Sequence, residues 1–290
     1  MAGAVRTYHW KDGKTLELGK KTLLMGILNI TPDSFSDGGK WDSLDRAMFH
    51  AQDMVRAGAD IIDIGAESSR PGFVPMPAEQ EMERLAPFLK ALLHHVDVPV
   101  SVDTFKAETA EMAMKLGAHI LNDIWGLQYA PEAGQMAAVA AAYDVPVIVM
   151  HNQVGKMYHG DIIRSMRGFF ANTVRIAEQA GLRRENLIFD PGIGFGKTPA
   201  ANMVVLKRLG ELTMLDHLEY PLLLGTSRKS FIGAALNLPV SERMEATGAT
   251  CVMGIMQGCG IVRVHDIKPI LRMCRMTDAI LEAKIGDGQN

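Results

Sequence analysis

Cysteine is scarce in this 290-residue chain: only Cys251, Cys259 and Cys274 are present, with no C-x-x-C spacing. An odd number without metal-ligand spacing argues against a disulfide framework or a zinc site. It predicts buried free thiols, each in a segment of helical spacing. No apolar run approaches 18 residues, so no membrane span is expected. Residues 1–20 hold no apolar stretch of signal-peptide length, so a cytoplasmic protein without a membrane partner is expected. Basic runs and aromatic–basic stripes are absent and the formal net charge is −3. No nucleic-acid partner is expected, and any anion site must be local. Aromatics are few, at 6%, against 48% apolar residues overall. That balance suits buried strands alternating with amphipathic helices better than an all-β sandwich. H-E-x-x-H, a nucleophile elbow, a carboxylate-rich metal cage and the Walker and dinucleotide spacings are all missing.

What is present is one repeated pattern: a short apolar run, a polar cluster, then a helical stretch. The apolar runs fall at 24–30, 60–65, 98–103, 119–124, 146–150, 187–190, 220–225 and 261–265. Several are apolar at nearly every position, as parallel strands buried on both faces should be. Helical spacing fills residues 43–57, 77–95, 107–116 and 161–180, and Gly58, Gly117 and Gly181 stand where C′ glycines end helices. Eight such units predict an α/β fold, a closed (β/α)8 TIM barrel. An open doubly wound sheet is the alternative. Before the barrel, residues 5–10 and 15–18 flank Asp12-Gly13 and predict an N-terminal β-hairpin. The chain reads as one domain over 1–290: hairpin 1–20, barrel 21–285 and a short tail 286–290.

The active site of such a barrel gathers at the C-terminal strand ends, and here those ends are polar. They carry Asn29, Glu67 to Arg70, Asp103, Asn122-Asp123, His151-Asn152, Asp190, Ser227 to Ser230, and Arg263 with His265. Asp103, Asn122, Asp190 and Lys229 combine donors and acceptors suited to a flat hydrogen-bonding heterocycle, whose N–H groups would satisfy otherwise costly buried carboxylates. The plain alternative is that such aspartates cap the following helices. Asn29, Arg70, Arg263 and His265 suit an anion, Arg through its planar fork and an amide oxygen as one ligand of Mg2+. Here the alternative is that Arg263 and His265 only pair with carboxylates. Loops 31–39 and 66–72 are long and glycine-bearing, as mobile lids are. In the run Asp190 to Lys197 the glycines are expected to let the backbone approach a planar ligand, with Phe195 as a packing surface. Met150, at a strand end, is expected to line the pocket.

Seven motifs, in order, carry a family likeness. Gly26-Ile27-Leu28-Asn29-Ile30-Thr31-Pro32-Asp33-Ser34-Phe35-Ser36-Asp37-Gly38-Gly39 and Asp63-Ile64-Gly65-Ala66-Glu67-Ser68-Ser69-Arg70-Pro71-Gly72 resemble the first two signatures of dihydropteroate synthases. Ser101 to Thr104, Asn122 to Ile124, Asp190 to Phe195, Ser227 to Gly233 and Arg263 to Asp266 resemble the rest. The resemblance implies a barrel, usually dimeric, that joins 6-hydroxymethyl-7,8-dihydropterin diphosphate to p-aminobenzoate. It implies pterin binding by Asp103, Asn122, Asp190 and Lys229, and diphosphate and Mg2+ binding by Asn29, Arg263 and His265. Ser69 and Arg70 would contact diphosphate and then p-aminobenzoate, while Phe35, Pro71 and Ser230 would shape the p-aminobenzoate pocket. Asp37, Lys229, Arg263 and His265 form the implied catalytic set. Ala66 and Ser69 depart from the Gly and Thr usual in the second motif. A pterin-dependent methyltransfer domain acting with a corrinoid protein is a rival on the same barrel, but it would lack the diphosphate set and Ser227-Arg228-Lys229-Ser230. A catalytically silent pterin-binding paralogue is a second rival.

Overall fold

The computed structural model describes residues 5–30, 40–67, 74–153, 158 and 160–284, with the backbone alone for 40–42. Strands β1 (Arg6–His9) and β2 (Thr15–Leu18) pair antiparallel, Arg6 opposite Leu18 and His9 opposite Thr15, around the Asp12-Gly13 turn. Then strands and helices alternate: β3 (Leu23–Asn29), α1 (Lys40–Arg56), β4 (Ile61–Gly65), α2 (Ala78–His95), β5 (Val100–Asp103), α3 (Ala107–Leu116) and β6 (Ile120–Asp123). The second half adds α4 (Gln135–Tyr143), β7 (Val147–Met150), α5 (Ile162–Gln179), β8 (Leu187–Asp190) and α6 (Pro199–Lys207). A two-residue pair, β9 (Met214–Leu215) and β10 (Leu218–Glu219), precedes β11 (Leu222–Leu224), α7 (Ser230–Leu236), α8 (Met244–Met256), β12 (Cys259–Val264) and α9 (Ile267–Glu282).

Eight strands close into a barrel in the order β11-β12-β3-β4-β5-β6-β7-β8, every neighbouring pair parallel. The eight apolar runs are these eight strands, so the open-sheet alternative is excluded. Gly58, Gly117 and Gly181 take φ of 105°, 102° and 78°, the left-handed conformation that ends helices cheaply only at glycine.

Strand parity explains the position of the core and of the site. Residues one apart on a strand face opposite sides. Leu24, Ile62, Val102, Leu121, Val149, Phe189, Leu224 and Val262 face outward and pack with the helices in one cluster. Met25, Ile61, Ile120, Ile148, Ile188, Leu223 and Ile261 face inward and form a second cluster. Tyr8, Leu16 and Leu18 of the hairpin belong to that inner cluster, so the hairpin closes the floor of the barrel. His119 ties it down: its Nε2 lies 3.0 Å from Asp12 Oδ2 and its Nδ1 accepts the Val100 N–H at 3.0 Å. His119 is therefore a packing histidine, in keeping with its position at a strand start.

The three cysteines are free and buried, and burial pushes the Cys251 and Cys274 thiols up to about 12. The expectation of helical surroundings holds for Cys251 and Cys274 but not for Cys259, which opens β12. The apolar character of 244–259 hides that boundary, because a buried helix and a buried strand read alike. Among the described residues no helix is long and apolar enough to cross a membrane.

Candidate active site

Continuing the inward parity up each strand replaces apolar side chains with polar ones. Above Ile61 comes Asp63, above Ser101 comes Asp103, and above Ile120 comes Asn122. Above Ile148 comes Met150, above Ile188 comes Asp190, and above Ile261 comes Arg263. Arg263 Nε donates to Asp63 Oδ2 at 2.6 Å and its Nη2 donates to Asp103 Oδ2 at 2.8 Å. Asn122 Nδ2 donates to the same Asp63 oxygen at 3.1 Å. Asp103, Asn122, Asp190, Lys229 and Arg263 thus converge at one mouth. The electrostatics agree. Burial raises the Asp190 carboxyl against the pull of Lys229 and Arg263. Burial also brings the Lys229 ammonium down to about 8, opposed by Asp190 and Asp103 and assisted by Arg263.

Burial holds Asp103 above the usual carboxylate range, with Arg263 opposing. Arg263 is also buried, but the carboxylates of Asp63 and Asp103 outweigh that cost and raise it. The carboxylate-pairing alternative therefore describes part of Arg263: a buried guanidinium needs counter-charges, and two aspartates supply them. Among the described residues its Nη1 makes no hydrogen bond. His265 pairs with a hydroxyl: its Nδ1 lies 2.9 Å from Ser227 Oγ, which also accepts the His265 N–H at 3.2 Å. The capping alternative fails, because the next α-helices are entered at Gly134 and Thr198. Asp123 faces outward and accepts the turn N–H groups of Trp125 and Leu127 at 2.8 and 2.7 Å, and one oxygen of Asp190 accepts the N–H of Gly192 in its own loop at 2.7 Å.

The loop after β8 builds one wall. Lys229 Nζ donates to the Ile193 carbonyl and sits 4.9 Å from the centre of the Phe195 ring. Lys197 Nζ donates to the Gly192 and Phe195 carbonyls at 2.8 and 3.1 Å, and burial brings its ammonium down to about 7. The expected reason for the glycines needs correcting at Gly192. Its φ is +62° and a Cβ there would run into the His151 carbonyl oxygen. Close approach is needed, but by the protein's own backbone. Met150 and Phe195 meet in one apolar cluster with Phe105, Ile124, Trp125 and Tyr129, the three aromatics besides Phe195 being unremarked in the sequence because aromatic residues in βα turns resemble core.

Asp63 is the residue that sequence reasoning misses. It is 0% exposed, and the available signal is a carboxylate at the centre of Ile61-Ile62-Asp63-Ile64-Gly65. Asn29 ends β3 in an exposed position, beside Gly65 of β4. Ser230 is exposed at the start of α7. Phe35, Asp37, Ser69, Arg70 and Pro71 lie outside the described residues. Ala66 is described, buried, and not among the residues of positive φ, so alanine meets no backbone strain there. Among the described residues no group of three or more His, Cys, Asp or Glu could hold a metal ion. A cation at this mouth would thus rely on neutral oxygens such as that of Asn29, on water and on substrate, a donor set that fits Mg2+.

Comparison with known proteins places the chain in a family. The family model described as pterin binding enzyme matches residues 25–265. The dihydropteroate synthase of Bacillus subtilis is 50% identical over 266 residues, 92% of this chain and 91% of that one. A Clostridium difficile dihydropteroate synthase crystallised in the presence of pteroic acid superposes with a TM-score of 0.87 at 48% identity, covering 92% of this chain and 100% of that one. The Xanthomonas albilineans dihydropteroate synthase in complex with 7,8-dihydropteroate gives 0.83 at 32% identity, covering 94% and 98%. With a family model across most of its length and relatives at up to half identity, the chain belongs to the pterin-binding enzyme family, among its dihydropteroate synthases.

Proposed function

We propose that the protein condenses 6-hydroxymethyl-7,8-dihydropterin diphosphate with p-aminobenzoate, giving 7,8-dihydropteroate and diphosphate. One observation carries this: Asp103, Asn122, Asp190 and Lys229 line a single mouth with Arg263, which is locked to Asp63 and Asp103. The carboxylates accept from the amino and ring N–H groups of a pterin, and Lys229 donates to its acceptor atoms. Phe195, Met150 and Phe105 supply flat apolar contact beside them. Held in this way, the electron-rich ring can stabilise positive charge on its exocyclic methylene as the carbon–oxygen bond to diphosphate breaks. On this reading Arg263 Nη1, His265 and the Ser227 hydroxyl would face the departing charge, and preorganised donors there lower the barrier. The aniline nitrogen then attacks the methylene and loses a proton, which can leave with the diphosphate, with no covalent enzyme intermediate. Water must be kept out, because it would capture the same carbon and give the alcohol. That task falls to the 31–39 and 66–72 loops, with Phe35, Asp37, Ser69, Arg70 and Pro71, and to Ser230 beside the p-aminobenzoate.

Asn29 would hold Mg2+ against diphosphate oxygens, where the ion supplies charge neutralisation of the leaving group. The same reading makes the protein a homodimer acting in the cytoplasm. In support, adjacent helices α8 and α9 expose Met253, Met256, Met276 and Ile280, and three unpaired thiols suit a reducing compartment. Incubating the protein with the pterin diphosphate, p-aminobenzoate and Mg2+ tests the assignment. Dihydropteroate should accumulate with stoichiometric diphosphate. A protein that binds the pterin and yields neither product would contradict it and restore the silent-paralogue reading.

A further inference from the structure

Lys197 carries a charge that the proposed chemistry leaves unused. Its stem is partly exposed, but its ammonium turns inward and donates to the carbonyls of Gly192, Phe195 and His151 at 2.8, 3.1 and 3.4 Å. An ammonium has three donors, and all three are spent on backbone. Among the described residues no carboxylate forms an ion pair with it, although Asp190 lies near enough to favour its charge. Burial without a paired counter-charge disfavours the charged form, and the ammonium is brought down to about 7. A methionine would fill the same stem without that penalty, so filling space does not account for a lysine.

What the ammonium adds is an arrangement of the loop after β8. Lys197 is held at the start of α6, where Thr198 caps the helix by accepting the Ala201 N–H at 3.1 Å. From there it reaches back over its own loop and across to the residue that follows β7. The loop's carbonyls divide between two lysines: those of Gly192 and Phe195 meet Lys197, and that of Ile193 meets Lys229. Positive φ at Gly192 and Gly194, +62° and +86°, permits the reversal on either side of Ile193. Asn202 Oδ1 accepts the Gly194 N–H at 2.8 Å, so α6 holds the loop by an N–H while Lys197 holds it by carbonyls. Phe195 is thereby packed with Met150, Phe105 and Ile124, its ring centre 4.9 Å from Lys229 Nζ.

We propose that Lys197 is a positioning residue: by gathering the Gly192, Phe195 and His151 carbonyls it stands the Phe195 ring beside Lys229 at the mouth of the barrel. The inference rests on the proposed function, because the pterin ring is what Phe195 and Lys229 would meet there. With every donor committed to backbone, Lys197 acts on the ring only through the loop. Its loss should therefore cost little further binding once the Phe195 ring is gone, whereas a residue that merely stabilised the fold would cost the same in either background.

A double-mutant cycle of Lys197→Met and Phe195→Ala tests this, read as calorimetric affinity for 6-hydroxymethylpterin, which lacks the diphosphate. Lys197→Met alone should weaken binding roughly tenfold, the worth of one misplaced aromatic contact. In the Phe195→Ala background it should weaken binding less than about threefold. Hydrogen exchange should accelerate at the Phe195 amide, which donates to the Gly192 carbonyl at 3.1 Å. It should stay slow at the Phe189 amide, which donates to the Pro221 carbonyl within the barrel wall. Equal losses in the two backgrounds, or unchanged exchange at Phe195, would overturn the proposal. Lys197→Arg, which keeps the charge but offers a planar fork, goes through the same cycle with the same expectations should Lys197→Met not fold. A wild-type protein that does not bind 6-hydroxymethylpterin would fail the functional reading instead, and exchange at Phe195 in the variant would then decide the positioning of the loop by itself.

Discussion

Asp63 and Arg263 meet inside the barrel across an intervening strand. The Arg263 Nε donates to Asp63 Oδ2 at 2.6 Å although β3 separates β4 from β12. The bond is possible because both side chains point inward from positions one step above the apolar floor.

Replacing Asp63 with Ala should therefore be costly. It strips Arg263 of one counter-charge and Asn122 of its acceptor, leaving a partly uncompensated buried cation. A loss of about 3 kcal/mol is expected by denaturant unfolding, with a matching loss of pterin affinity. Asp63→Asn, which keeps the shape and one acceptor oxygen, should cost less. Equal effects from both variants would remove the charge argument.

The pH dependence divides into two opposite signs. On the proposed reading Lys229, brought down to about 8 by burial, offers the pterin a charged donor only while protonated, so ring affinity should fall as pH rises above about 8. On the acid side affinity should fall as Asp103 and Asp190, both raised by burial, take up protons. Stability moves the other way at alkaline pH. Folded Lys229 releases its proton below the unfolded lysine value, so the unfolded state binds more protons between about 8 and 10.5, and this group's contribution to stability rises with pH there. Calorimetric titration of 6-hydroxymethylpterin and thermal melts over pH 6–10 check both slopes, and Lys229→Met should flatten the alkaline limb of each.

Gly192 and Gly13 make a matched pair. Both have positive φ, +62° and +88°. A Cβ at Gly192 meets the His151 carbonyl, whereas one at Gly13 meets nothing within 4 Å. Gly13→Ala should cost about 1 kcal/mol, the left-handed penalty alone. Gly192→Ala should cost more and also weaken pterin binding, because the loop carrying Ile193 and Phe195 must shift. Similar melting temperatures for the two would refute the steric account.

Chelation separates ring recognition from leaving-group chemistry. Removing divalent ions should abolish dihydropteroate formation while leaving 6-hydroxymethylpterin affinity unchanged. Asn29→Ala should raise the Mg2+ concentration needed for half-maximal turnover, measured by magnesium titration. Loss of ring affinity on chelation would place the ion elsewhere.

The barrel is legible because its signal repeats. Each of the runs at 24–30, 60–65 and 98–103 is short, apolar and followed by helical spacing, and one misread run does not change the architecture. Residues 107–116 coincide with α3, where Gly117 marks the stop. Cys259 reads as helical because nothing punctuates the passage from α8 to it except Gln257-Gly258. The β9–β10 pair is too short to leave a periodic trace.

At the site, the types of residue are readable but their pairings are not. Strand ends alone place Asp103 and Arg263 on one rim, yet their bond spans 160 positions of sequence, and Asp63 is invisible as a partner. Asn122 and Asp123 show the same limit. The first points inward and the second outward, a difference fixed by strand parity that a one-residue error in register would reverse.

The hairpin under the barrel has a kinetic corollary. With Tyr8, Leu16 and Leu18 sealing one end, everything that enters leaves by the same door. The ring readers sit deeper than the exposed Asn29 and Ser230, so a molecule seated near the opening blocks traffic to the bottom. If the proposed site assignment holds, loading should be sequential, with the bicycle first and the amine second. Initial-velocity patterns should show p-aminobenzoate analogues binding only to the pterin-loaded protein.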